Sequence, residues 1–119
     1  MFRWKKDPKK QSVGELEVSV VQRQRGAKRE MAKRLMKGEG VSTNFLLSVA
    51  YLEDCVAEGD ADAMLLLAEC CALGHGIEQN RRRTEKLVEL AAMKGNDCAK
   101  RLMSNPSLLE RNVFRLGCL

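Results

Sequence analysis

Aromatic side chains are scarce in this 119-residue chain, which has one Trp, one Tyr and three Phe. Its core must therefore rest on Leu, Val, Met and Ala, and a domain of this length buries only a modest one. Proline is nearly absent, with two residues, so little interrupts helix in a sequence rich in Ala, Leu, Lys, Arg and Glu. His75 is the one histidine, and the sequence has no His-Glu-x-x-His, no phosphate-binding loop and no zinc-type cysteine spacing. No apolar run approaches the roughly 18 residues of a membrane-spanning helix. The charged start, Met1 to Lys10, is not followed by the apolar segment of a secretory signal. These absences remove the common metal, nucleotide and membrane classes.

The cysteines are Cys55, Cys70, Cys71, Cys98 and Cys118, an odd number with no C-x-x-C pair. Cys70 and Cys71 are sequential, so on a helix they point about 100° apart and suit neither a shared metal nor each other. Most of the five read as small buried hydrophobes with reduced thiols, which suits a reducing, cytoplasmic compartment. A nucleophilic cysteine needs a basic partner in a cleft, and none can be placed.

The net charge of +5 is unevenly spread: residues 1–37 hold twelve Lys/Arg against four Asp/Glu, and residues 38–119 hold nine against twelve. A front end of +8 suits phosphates or an acidic partner, or serves only as a solubilising arm. Residues 1–12 read as a flexible basic arm with no periodicity. Phe2 and Trp4 interleave with its cations, but two aromatics are too few to make a stacking or membrane motif.

What the chain does have is a period. Gly38-Glu39-Gly40-Val41 returns as Gly74-His75-Gly76-Ile77, and Gly59-Asp60 as Gly95-Asn96, both 36 residues later. Ala27 aligns with Ala63 and Ala99, Ala32 with Ala68, Asn44 with Asn80, and Glu53 with Glu89. A fixed period of this size is the signature of a helical solenoid. The expected fold is all-α: a solenoid of antiparallel α/α-hairpins, with about two full repeats between atypical capping helices.

The expected organisation is a capping helix over residues 13–25, repeat 1 over 27–59, repeat 2 over 60–95, and a partial repeat with a C-terminal capping helix over 96–119. Leu16, Val18 and Val20 alternate like a strand, but the 36-residue overlay places them on Leu52, Asp54 and Val56 and so argues for helix. Helix A of repeat 1 runs from Ala27 to Lys37, with Ala27, Met31, Ala32 and Leu35 on one stripe. Helix B follows from Phe45 to Glu58. Repeat 2 has Ala61 to Leu73 and Arg81 to Lys94. Asp60, Asn44 and Asn80 are the expected N-caps, and Gly38, Gly59, Gly74 and Gly95 the exits. A third helix A starts after Asn96 and breaks at Asn105-Pro106. Ser107 then opens a last helix to about Leu116.

The run Glu58-Gly59-Asp60-Ala61-Asp62-Ala63, Leu67-Ala68, Gly74-His75-Gly76-Ile77, Asn80 and Glu89-Leu90-Ala91-Ala92-Met93-Lys94-Gly95-Asn96 resembles the Sel-like repeat, a relative of the tetratricopeptide repeat. That family's pattern runs Gly-Asp-Ala-x-Ala, Leu-Gly, Tyr, Gly-x-Gly-Val, Asp, Ala-Ala-x-x-Gly, and the match covers about Ala27 to Met103. The chain departs from it in several places. The Tyr is Leu35 and Cys71, the Gly of helix A is Ala32 and Ala68, the helix B cap is Asn44 and Asn80, and Gln24 stands where the first cap Asp belongs. The resemblance implies an α/α stack with a curved groove, used as an adaptor or scaffold. It also allows a disulfide between paired helices.

The function expected from this reading is non-enzymatic protein–protein interaction, with no cofactor, no metal and no catalytic residue. His75 occupies a loop position that is Glu39 in the other copy, which reads as solvent exposure. The groove would be lined by residues off the packing stripe of each helix A: Glu30, Lys33 and Lys37 in one copy, Leu66, Glu69 and Leu73 in the next. Leu66 and Leu73 are apolar where a solvated face would be polar. They are covered either by a peptide or helix, of acidic-hydrophobic type given the lysines, or by the chain's own lid or a neighbouring helix. The alternative partner is nucleic acid, bound by a basic patch of Arg25, Lys28, Arg29, Arg34, Arg81, Arg82 and Arg83. Three arginines in the first turn of a helix oppose its dipole, a cost that binding would offset.

Overall fold

The computed structural model describes residues 7–24, 26–105 and 107. Every regular element among them is helical: α1 (Val13–Val21), α2 (Ala27–Lys37), α3 (Phe45–Ala57), α4 (Ala61–Leu73), α5 (Arg81–Met93) and α6 (Asp97–Ser104), preceded by a 3-10 turn at Pro8–Lys10. Each helix packs on the next, and α2 also touches α4. The last expected helix, apart from Ser107, lies outside the described residues.

The helix ends follow from residues a few positions away. Asn44 and Asn80 sit at nearly the same backbone angles, φ −147° with ψ 93° and 102°. Their side chains accept from the third residue on, the amides of Leu47 and Arg83, both at 3.0 Å. Gly38 and Gly74 take the left-handed conformation, at φ 73° and 72° with the same ψ of 31°. There they leave the helix at no steric cost. The Asn44 amide then closes on the Leu35 carbonyl at 2.9 Å, and 36 residues later Asn80 closes on Cys71 at 3.0 Å.

The period reaches back into α1. Asp60 and Asn96 donate their amides to Cys55 and Ala91, and Gln24 does the same to Ser19. The left-handed residue of that turn is Gly59 (φ 86°), Gly95 (φ 98°) and, in the first copy, Arg23 (φ 59°). The four valines of this region do not prevent helix, because Ser12 and Glu15 form a reciprocal capping box at its start. The missing cap Asp does matter. With Gln24 in its place, α2 begins at Ala27 behind Gly26, which has no side chain to cap with. Its counterpart α4 starts at Ala61, with Asp60 accepting from the Asp62 and Ala63 amides.

The main core runs from Ala32 through α3, α4 and α5 to Ala99 and Leu102, and a smaller cluster joins Leu16, Ala27, Met31 and Leu35. Tyr51 packs on both. The centre is α4, buried without a break from Ala63 to Ala72. At about 25 cal/mol per Å² of apolar surface, such a helix carries a large share of the fold's hydrophobic stabilisation.

The expected free arm is held from residue 7 onward. Asp7 caps the Pro8–Lys10 turn by accepting from the Lys9 amide. Gln11 is buried and donates to Gln24 Oε1 at 3.2 Å.

Candidate functional site

One cleft brings residues of α2, α4 and the N-cap of α6 together. Glu30, Lys33 and Leu66 share a small cleft of about 170 Å³ with Lys9, Arg29, Asp62 and Asn96. Three of the six expected groove residues are thus neighbours. The others are not: Lys37 is exposed at the end of α2, Leu73 is 36% exposed at the end of α4, and Glu69 is buried. Leu66 is only 3% exposed and belongs to the main core. Of the two readings left open for the leucines, burial against neighbouring helices holds at Leu66, while Leu73 is partly exposed. The physical reason is position: α4 has neighbours on all sides, and a one-copy pattern cannot reveal that.

The expected basic patch is mostly neutralised from within. Lys28 pairs with Asp54 at 3.4 Å, and Arg29 with Asp60 and, more loosely, Asp62. Arg81 pairs with Glu85 one turn along α5 at 3.2 Å, and Arg83 reaches Glu53 on α3 at 2.6 Å. The Glu53 hydrogen bond pushes the Arg83 pKa further up, against a smaller opposing effect of burial. Arg34, 8% exposed, donates through Nε to Glu30 at 3.3 Å and through Nη2 to the carbonyls of Pro8 and Lys9 at 3.2 and 3.3 Å. Arg82 is exposed and forms no ion pair among the described residues. Arg25 lies outside them. The exposed pairs contribute little to stability, but each cation they hold is less available to a phosphate.

Sequence reasoning missed a larger, polar cleft of about 1020 Å³ at the turns between units. Arg23, Lys28, Arg29 and Lys94 line it on the cationic side, and Asp54, Glu58, Asp60 and Asp62 on the anionic side. Four charges of each sign leave no net field for a charged ligand. The only signal in the sequence was the pairing of glycine turns with acidic caps.

The thiols are unsuited to chemistry. Cys55, Cys70 and Cys71 are free and buried. Burial, and then the nearby Asp60 and Glu58 carboxylates, raise Cys55 to about 11. Burial, then Glu69 and Cys71, raise Cys70 to about 12. Cys71 is raised chiefly by burial. None offers a thiolate near neutrality. Cys98 is disulfide-bonded, so the reduced-thiol reading does not extend to it. His75 is not simply solvated: its ring stacks on Phe45 with centroids 4.3 Å apart. Among the described residues no cluster of three His, Cys, Asp or Glu could hold a metal, and no helix is long and apolar enough to cross a membrane.

The fold and site define an all-α protein of serially packed helices with a narrow inner cleft. A scan against models of known protein families returned no match to this chain, and a search of curated proteins returned none either.

Proposed function

We infer that the chain is a Sel-like, tetratricopeptide-like solenoid. In this reading it is a non-enzymatic interaction module that takes a peptide or helix of another protein at the small cleft along α2, with buried α4 behind it. The observation that carries the reading is the recurrence of backbone geometry at 36 residues, at Gly38 and Gly74 and at Asn44 and Asn80. Repetition of one hairpin produces an extended inner surface, which such stacks use for binding. Lys9 and Lys33 beside Leu66 suit a carboxylate next to an apolar side chain. Orientation would come from the lysines and affinity from a few apolar contacts.

The test is cross-linking capture from cell extract, with and without nuclease, comparing wild type with Lys33→Glu. A substitution at buried Leu66 would unfold the chain, so the exposed side of the cleft is the better probe. A protein captured through nuclease treatment and lost in Lys33→Glu, with the melting curve unchanged, supports the adaptor reading. Capture that collapses with nuclease and ignores Lys33→Glu overturns it in favour of nucleic acid on the basic N-terminal half.

A further inference from the structure

The α2 side of the cleft already has an occupant. Residues 7–11 lie across it, and the contacts are built rather than incidental. Arg34, nine-tenths buried, donates from one guanidinium nitrogen to two successive carbonyls, Pro8 and Lys9, while its Nε holds Glu30. A planar fork is suited to such simultaneous contacts, which a lysine ammonium on the same stem would not reproduce. The Pro8 ring lies beside Gly26, whose φ of 82° is a conformation that side-chain-bearing residues rarely adopt. Gln11 anchors the far end on Gln24.

This seat exists once. In the second copy the positions of Gly26 and Arg34 are Asp62 and Cys70, a carboxylate and a buried thiol. The buried Cys70 thiol cannot hold two carbonyls and a carboxylate at once, as the Arg34 guanidinium does. The segment also supplies Lys9 to the wall of the cleft that holds Lys33 and Leu66.

We propose that residues 7–11 are an intramolecular ligand that occupies the α2 side of this cleft, and that the segment which displaces them is a peptide that forms one 3-10 turn and so presents two successive carbonyls, at and after a proline, to one guanidinium nitrogen. This rests on the cleft reading above and names the partner class for it. A tethered segment faces its site at an effective concentration in the millimolar range. Docking therefore requires a dissociation constant in trans at or below about 1 mM, and the closed form lowers apparent affinity for a competitor by the fraction that remains open.

The experiment uses the full chain and a fluorescein-labelled peptide spanning Lys5 to Ser12, read by anisotropy. The triple variant Asp7→Ala/Pro8→Gly/Gln11→Ala weakens the segment and leaves its seat intact. It binds the peptide with a dissociation constant at or below about 0.1 mM, at which the tethered segment leaves about a tenth of the wild-type seats open and wild type binds about tenfold more weakly. Adding Arg34→Lys to the triple variant, or Pro8→Gly to the peptide, removes most of that binding. Equal binding by wild type and the triple variant, or none by the triple variant at millimolar peptide, overturns the proposal. In wild type the Lys10 and Gln11 amides, bonded to the Asp7 and Pro8 carbonyls, exchange slowly, and Arg34→Lys speeds them. Unchanged exchange in Arg34→Lys also counts against the proposal. The two readings fail separately. If the peptide binds as stated but no cellular protein is captured, the adaptor reading falls and the blocking segment stands. If a cellular protein is captured equally by wild type and the triple variant, the blockade falls and the adaptor reading stands.

Discussion

Helices α2 and α4 occupy equivalent places 36 residues apart, yet their environments differ. α4 is apolar over most of its circumference and buried from Ala63 to Ala72. α2 carries Lys28, Arg29, Glu30, Lys33 and Arg34, and it meets the rest of the chain partly through ion pairs and the Pro8–Lys10 turn. The same backbone can therefore be a central layer or a near-terminal one. In the centre a helix has packed neighbours on every side and polar groups would be stranded. Near the end of a stack one side lacks a helix, and buried charge is tolerated only where it is paired. Glu69 marks the limit of this rule, since it is buried in α4 and engaged by a partner.

The largest expected difference between the copies lies at their glycine corners. A Cβ on Gly76, at φ 76°, would fall within 2.9 Å of Phe45 Cβ and closer still to the Phe45 carbonyl. Gly76→Ala is expected to cost about 3 kcal/mol from left-handed strain plus backbone overlap. The equivalent Gly40→Ala meets only Val13 Cγ2 at 3.1 Å, a side chain that can turn away, and should cost about 1 kcal/mol. Urea denaturation of both variants measures the gap, and equal costs would mean that the second corner is not packed against α3.

Arg34 and Cys70 are the next pair. Arg34→Ala removes the ion-pair partner of the largely buried Glu30 and the guanidinium contacts to the Pro8 and Lys9 carbonyls, of which Pro8 keeps its bond from the Gln11 amide. Its expected cost is about 2–3 kcal/mol, below that of a fully dry pair. Cys70→Ala removes one sulfur from the core and should cost about 1 kcal/mol.

The alkaline limb comes third. Cys55 and Cys70 have folded-state pKa values of about 11 and about 12, above an ordinary thiol near 9.0. The unfolded chain therefore releases these protons first. The thiols' contribution is complete below about pH 9 and is lost as pH rises toward 11 and 12, at about 1.4 kcal/mol per pH unit for each thiol. Stability measured from pH 8 to 10.5 should fall less steeply in Cys70→Ala. At neutral pH a disulfide reagent should label Cys55, Cys70 and Cys71 only as fast as the chain opens.

The smallest effect is at the first turn. Arg23 holds φ 59° where the later copies have Gly59 and Gly95. Arg23→Gly should stabilise by about 0.5–1 kcal/mol, because relief of left-handed strain exceeds the added entropy of the unfolded chain. Gly59→Ala should destabilise by a similar amount. A thermal melt of each checks the sign, and a loss of stability in Arg23→Gly would mean that its side chain holds the turn.

Much of the helical layout was legible beforehand. The ends of α2 and α4, the caps Asn44 and Asn80, and the helical state of Val13 to Val21 all follow from the period and the residue types. The candidate site was less legible. Lys33, Glu30 and Leu66 do meet, but Leu66 forms part of the core floor of the cleft. The basic patch dissolved into pairs such as Arg83 with Glu53, thirty residues apart, and Arg29 with Asp60. The segment from Asp7 to Gln11 looked like free arm because nothing within it is apolar. Its order comes from Arg34, far along the chain.

The sequence by itself determined, to within a residue, where α2 to α5 start and stop, but it carried the first helix to residue 25 where α1 ends at Val21. Capping and glycine exits are settled by groups within about four residues, whatever surrounds them. Only the tertiary structure decided that α4 is wrapped on all sides and that Arg34 holds the Pro8–Lys10 turn against α2. Those outcomes depend on which side chains and carbonyls meet across twenty-five or more residues of chain, and a distance of that kind is set by packing rather than by local spacing.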